Sequence, residues 1–99
     1  MNLKDVILSI QNLDPNHTLF AKRIDGKFTP ASDAVILELT EDELEMKVSA
    51  LVEKKCPGYS YCMEVALLQD FMEDIRPDQQ YQEEEKRVDR TIYFIEHDA

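Results

Sequence analysis

The prolines and glycines cut this chain into short pieces, and that division limits what it can fold into. There are 4 prolines and 2 glycines in 99 residues. Pro15, Pro30, Pro57 and Pro77 each lack a backbone donor, and each disfavours the α region for the residue before it. Asp25-Gly26 and Pro57-Gly58 are turn signals. A succession of short helices and strands fits between these breaks, and such pieces gain order only by packing on one another. A chain of this length holds one domain, residues 1–99, and buries roughly 60–65% of its unfolded surface. A hydrophobic content of 43% is enough for one modest core. Trp is absent, so Phe20, Phe28, Phe71, Phe94 and the tyrosines supply the large apolar area.

Leu3, Val6, Ile7 and Ile10 recur at helical spacing, and Leu13 extends the stripe. Asn2 is a good N-cap, Asp5 suits the first turn, and Asp14-Pro15-Asn16 ends the helix. Residues 19–24 read as a strand and Asp25-Gly26 as a two-residue hairpin turn. Residues 27–29 read as a return strand stopped by Pro30. The run at 34–39 is a further strand, and its nearly continuous apolar character points to cover on both faces.

Residues 40–48 carry conflicting signals. Thr40 and Glu43 make a capping box, and Leu44, Val48, Leu51 and Val52 fit one helical face, yet 44–50 alternates at the strand period. The reading adopted is an acidic turn at 40–43, a short irregular or extended segment, and a helix at 49–55. Ser49 would cap that helix, Lys54 and Lys55 would sit in its last turn, and Pro57-Gly58 would stop it.

Residues 59–65 read as a strand. Leu67, Leu68, Phe71, Met72 and Ile75 form the apolar stripe of a helix whose wet face is Gln69, Asp70, Glu73 and Asp74. Arg76 suits its end and Pro77 closes it. Residues 77–87 are a polar connector, either a mobile arm or an exposed helical turn, before a last strand at 88–96. The expected architecture is α+β: a largely antiparallel sheet of about four or five strands with about three helices packed on one face.

Charge is unevenly placed. Lys4, Lys22, Arg23 and Lys27 balance Asp5, Asp14, Asp25 and Asp33, so the whole net charge of -10 lies in residues 38–99. It falls in two blocks, Glu38 to Glu45 and then Glu64 to Glu85. Such a distribution marks a solvated face, and in some proteins a face for a basic partner. It disfavours nucleic-acid phosphates and anionic membrane surfaces as partners. The N-terminal residues lack the apolar h-region of a signal peptide, and no stretch has the length of a membrane span. A cytoplasmic chain with Cys56 and Cys62 reduced is expected.

Constellations that carry chemistry are scarce. Cys56 and Cys62 match neither zinc nor CxxC spacing, and His17 and His97 are remote from them. Ser9, Ser32 and Ser49 fall in a helix, a turn and a cap, none of them a nucleophile elbow. There is no Gly-rich phosphate loop. No enzymatic activity, metal or cofactor is expected. Asp70, Glu73 and Asp74 share a helix face that a hard divalent cation could use, although the solvated back of an amphipathic helix explains them better, since no EF-hand spacing is present.

Glu41, Asp42 and Glu43, with Glu45 beyond them, form an acidic loop that suits a partner, or simply a capped turn. Tyr81 stands among acids as a candidate anchor. The reading that follows is a small non-enzymatic protein-binding domain, of the inhibitor or immunity type. It would present Glu41, Asp42, Glu43, Glu45, Asp70, Glu73, Asp74 and Tyr81 to a basic protein. The alternatives are a homodimer built through Ile92-Tyr93-Phe94-Ile95 as an edge strand, and a divalent-cation-binding domain.

Overall fold

The computed structural model describes residues 1–97 and shows an α+β domain with a three-stranded antiparallel sheet and five α-helices. In chain order these are α1 (Leu3–Leu8), β1 (Thr18–Ala21), β2 (Ala34–Leu37), α2 (Glu41–Leu44), α3 (Val48–Lys55), β3 (Ser60–Glu64), α4 (Val65–Ile75) and α5 (Glu84–His97). Short 3-10 turns at Ile10–Asn12 and Gln79–Tyr81 follow α1 and precede α5.

β1 lies between its neighbours in the order β2-β1-β3. It pairs Phe20 with Val35 on one side and with Tyr61 on the other. The register slips on the β3 side: Leu19 faces Met63 and Phe20 faces Tyr61, so Cys62 has no partner across the ladder. This is a β-bulge. It turns both Cys62 and Met63 into the same core.

All four residues of β1 are buried, and alternation sends them to two different cores. Leu19 and Ala21 join Leu3, Val6, Ile7, Ile10, Leu68, Met72, Val88 and Ile95, which come from α1 and the 3-10 turn after it, α4 and α5. Phe20 faces the other way and packs with Leu51 of α3, Cys56 and the half-buried Val35, Leu37, Leu39 and Met46. Helices therefore cover both faces of the sheet, where cover on one face was expected. The apolar run at 34–37 is consistent with this, because Ala34 and Ile36 serve the first core and Val35 and Leu37 the second.

Two expected strands do not form. Asp25 and Gly26 have φ of 51° and 80°, the pair of positive values a type I′ turn needs. Ile24 and Lys27 exchange both backbone hydrogen bonds around it. The return strand goes no further, because the Phe28 N–H donates to Glu96 Oε1 of α5 at 2.8 Å instead of to a ladder. Residues 88–96 belong to α5, not to a strand. Val88, Thr91 and Ile95 are its buried positions, at helical spacing. Thr91 satisfies its hydroxyl within the helix by donating to the Arg87 carbonyl at 2.7 Å.

The connector at 77–87 is tied down by its own side chains. The Asp78 carboxylate accepts from Gln80 N–H at 2.9 Å. Gln82 Nε2 donates to the carbonyls of Arg76 at 2.9 Å and Asp78 at 3.0 Å. Gln69, expected on the wet face of α4, reaches back instead. Its Nε2 donates to the carbonyls of Ile10 and Leu13, both at 2.9 Å, and so closes the end of the first 3-10 turn.

Candidate partner-binding site

Residues 40–43 are not a turn but the start of α2, a single helical turn held by side chains. Thr40 Oγ1 accepts from the Glu43 N–H at 3.2 Å, and Glu43 Oε1 accepts from the Thr40 N–H at 3.0 Å. This reciprocal capping box closes a helix too short to hold itself. The second carboxylate oxygen of Glu43 meets Lys55 Nζ at 3.2 Å and Lys54 Nζ at 3.5 Å in the last turn of α3. Glu43 is thus buried, at 4% exposure, and occupied within the fold. The Thr40 N–H, helped by Lys55 and Lys54 against the opposing effect of burial, lowers its carboxyl to about 2. Of the four acids expected at this site, Glu43 is the one engaged inside the protein.

The anchoring of Glu43 leaves Leu44 facing outward, 61% exposed. Val48, in the first turn of α3, is 50% exposed and Tyr61, on edge strand β3, is 40% exposed. α3 begins at Val48 with Lys47 as its N-cap, two residues before the expected Ser49 cap. Leu44, Val48 and Tyr61 line one cleft of about 200 Å³ together with Leu39, Met46, Leu51 and Thr18. Phe20 supports it from below: the Tyr61 ring stands edge-on to the Phe20 ring at 5.8 Å and 81°. Glu64 completes the wall beside Tyr61.

Glu41, Asp42 and Glu45 lie exposed on and just after α2. None of these three, nor Glu64, lies within ion-pair distance of a cation among the described residues, whereas Lys54 and Lys55 are held by Glu43. The lining of the cleft thus holds one carboxylate engaged by lysines, Glu43, and one with no ion-pair partner among the described residues, Glu64. The carboxylates are legible in the sequence. The apolar floor is not, because Leu44 and Val48 fit the stripe expected to be buried.

The other expected site residues lie elsewhere. Asp70, Glu73 and Asp74 are exposed on α4, which packs over the first core, so the sheet separates them from α2. Among the described residues no three His, Cys, Asp or Glu side chains converge where a metal ion could sit. Tyr81 is half-buried against the edge of the first core and borders a separate hollow with Arg90 and Tyr93. The residues expected to form a dimerising edge strand, Ile92 to Ile95, lie inside α5. Burial pushes the Cys62 thiol up to about 12 and raises that of Cys56, which keeps both protonated at neutral pH.

No helix among the described residues is long and apolar enough to cross a membrane. Comparison with protein-family models, with curated proteins and with solved structures gave no match.

Proposed function

We propose that this chain is a non-enzymatic protein-binding domain and that the cleft between α2, α3 and β3 takes a basic partner. One observation carries the reading: Leu44 and Val48 are exposed large apolar side chains in the same cleft as Tyr61, and beside them Glu64 of the lining and the exposed Glu41, Asp42 and Glu45 have no ion-pair partner among the described residues. Exposed apolar side chains gathered in one place mark interaction surfaces. Tyr61 supplies the aromatic anchor that interface centres favour. Glu41, Asp42, Glu45 and Glu64 would steer a basic surface toward it and set its orientation. An inhibitor or immunity-type protein is the form this takes when the covered surface is a basic active site.

The test reverses the rim without touching the fold. Glu41→Lys, Asp42→Lys and Glu45→Lys together should abolish salt-sensitive association with a basic partner and leave the melting temperature unchanged. Glu43 is kept out of that set because its carboxylate closes α2. Association that survives the triple reversal at low salt would contradict the proposal.

A further inference from the structure

The protein holds a second cleft whose chemistry is the opposite of the first. It lies where α1, α4 and α5 meet, has a volume of about 460 Å³, and is lined by Ile7, Leu8, Ile10, Met72, Arg76 and Arg87 with Gln11 and Asn12. Its size falls within the range of small-molecule sites. Ile7, Ile10 and Met72 form a buried apolar floor, and Leu8 a half-open apolar edge. Two guanidinium groups reach it and no carboxylate does. In a chain with 21 acidic and 11 basic residues that pairing is unexpected. Four other clefts among the described residues each carry at least one Asp or Glu.

Neither arginine is neutralised by an acid within ion-pair distance among the described residues. The ordinary role of Arg76 is to complement the C-terminal end of α4. That end is already served: the Arg76 carbonyl accepts from Gln82 Nε2 at 2.9 Å. Arg87 spends Nη1 on the Gln82 carbonyl at 3.1 Å and the Tyr81 carbonyl at 3.4 Å. Those bonds fix the guanidinium plane and leave the donors on Nε and Nη2 for a ligand. Gln82 thereby links the backbone of Arg76 to the side chain of Arg87 and sets both at one side of the cleft.

We infer that this cleft binds a small amphipathic carboxylate, its head on Arg76 and Arg87 and its apolar body against Leu8. Guanidinium groups suit a planar carboxylate, with which they form paired charge-assisted hydrogen bonds. Leu8, 39% exposed, is the apolar surface open to a hydrocarbon body. The overall charge of -10 repels multivalent anions more strongly than a monoanion, which disfavours phosphate as the occupant. The site lies across the sheet from the α2 cleft and does not depend on the reading given to that cleft.

Octanoate is the probe, titrated into the full chain labelled with ¹⁵N, with amide shifts as the readout. Saturable shifts gathered at Leu8, Asn12, Met72 and Arg76 are expected. Arg76→Gln, at an exposed position, should weaken octanoate about tenfold, in line with the loss of one charge-assisted contact. Leu8→Asp, which sets a carboxylate at the apolar edge, should weaken it at least as much. The unliganded spectrum of each variant reports whether it has folded. Octanol and inorganic phosphate, which each lack one half of the chemistry, should give no saturable shift. Shifts that fail to saturate or scatter over the surface would overturn the inference. So would unchanged binding in either folded variant, or octanol or phosphate matching octanoate.

Discussion

Glu43 Oε2 lies 3.2 Å from Lys55 Nζ, which joins the one-turn helix α2 to the last turn of α3. The same carboxylate closes the capping box with Thr40. A single acidic side chain therefore orients the segment that carries Leu44, and the exposed cleft depends on that orientation.

Removing the cap should loosen α2 first. Thr40→Ala deletes the acceptor for the Glu43 N–H and is expected to destabilise the protein by about 1 kcal/mol. Chemical denaturation should show the loss as a lower midpoint with an unchanged slope. Faster amide exchange at residues 41–46 should accompany it.

Acid should weaken the same joint. The Glu43 carboxyl is held at about 2, below its ordinary 4.5. A carboxyl depressed in the folded state adds stability that is present in full above its unfolded value and is lost as pH falls through its folded one. The contribution of Glu43 should thus fade between pH 4.5 and about 2. Glu43→Gln should flatten the stability profile across that window, as measured by urea titrations at stepped pH.

A second acid ties the hairpin to α5. Glu96 accepts from the Phe28 N–H at 2.8 Å and from Arg23 Nη1 at 3.0 Å, and the Arg23 guanidinium lies 4.1 Å from the centre of the Phe28 ring. Burial opposes ionisation of Glu96, but Phe28 and Arg23 outweigh it and lower its carboxyl. Glu96→Ala should cost about 1 kcal/mol, because solvent screens the exposed Arg23 and the Phe28 N–H loses its acceptor. Thermal unfolding followed by circular dichroism would measure it.

The sheet should depend most on Phe20. It is wholly buried and is the large apolar residue of β1 on the face that meets α3. Phe20→Ala should destabilise by about 3–5 kcal/mol, and Leu51→Ala by about 2–5. The two losses should fall short of adding when combined, since they open one shared cavity.

Cys62 should resist modification. Its buried thiol is pushed up to about 12, so a thiol reagent at pH 8 should label it only as fast as the protein opens. The sign for stability is the reverse of that for Glu43. The thiol favours folding below its ordinary 9.0, and that stability is lost as pH rises toward about 12.

The elements with local signatures were legible in the sequence. Asn2 caps α1 by accepting from the Asp5 N–H at 2.8 Å, and the Asp25-Gly26 turn has both positive φ values. Val65–Ile75 is an amphipathic helix as its stripe implies, with Leu67 of that stripe exposed and Val65 buried in its place. Thr40 and Glu43 also showed their capping box, yet strict alternation over 44–50 argued for an extended chain. Burial of Glu43 against Lys54 and Lys55 decides that conflict, and those contacts are tertiary.

The largest departure is α5. Thr91-Ile92-Tyr93-Phe94-Ile95 is β-branched and aromatic, the composition of a strand. Its buried positions nonetheless follow helical spacing, and packing on α1 and α4 overrides propensity. At the candidate site the acids were visible as charge. The cleft they surround was not, because exposure of Leu44 follows from how Glu43 is held.

The most direct measurement compares capture by the wild-type chain with capture by a Leu44→Lys/Val48→Lys variant, from the same lysate at low and at high salt. Both positions are exposed, so the variant should fold and keep its melting temperature. A basic protein should be retained by the wild type at low salt, released at high salt, and absent from the variant. The same proteins retained equally by both chains would contradict it.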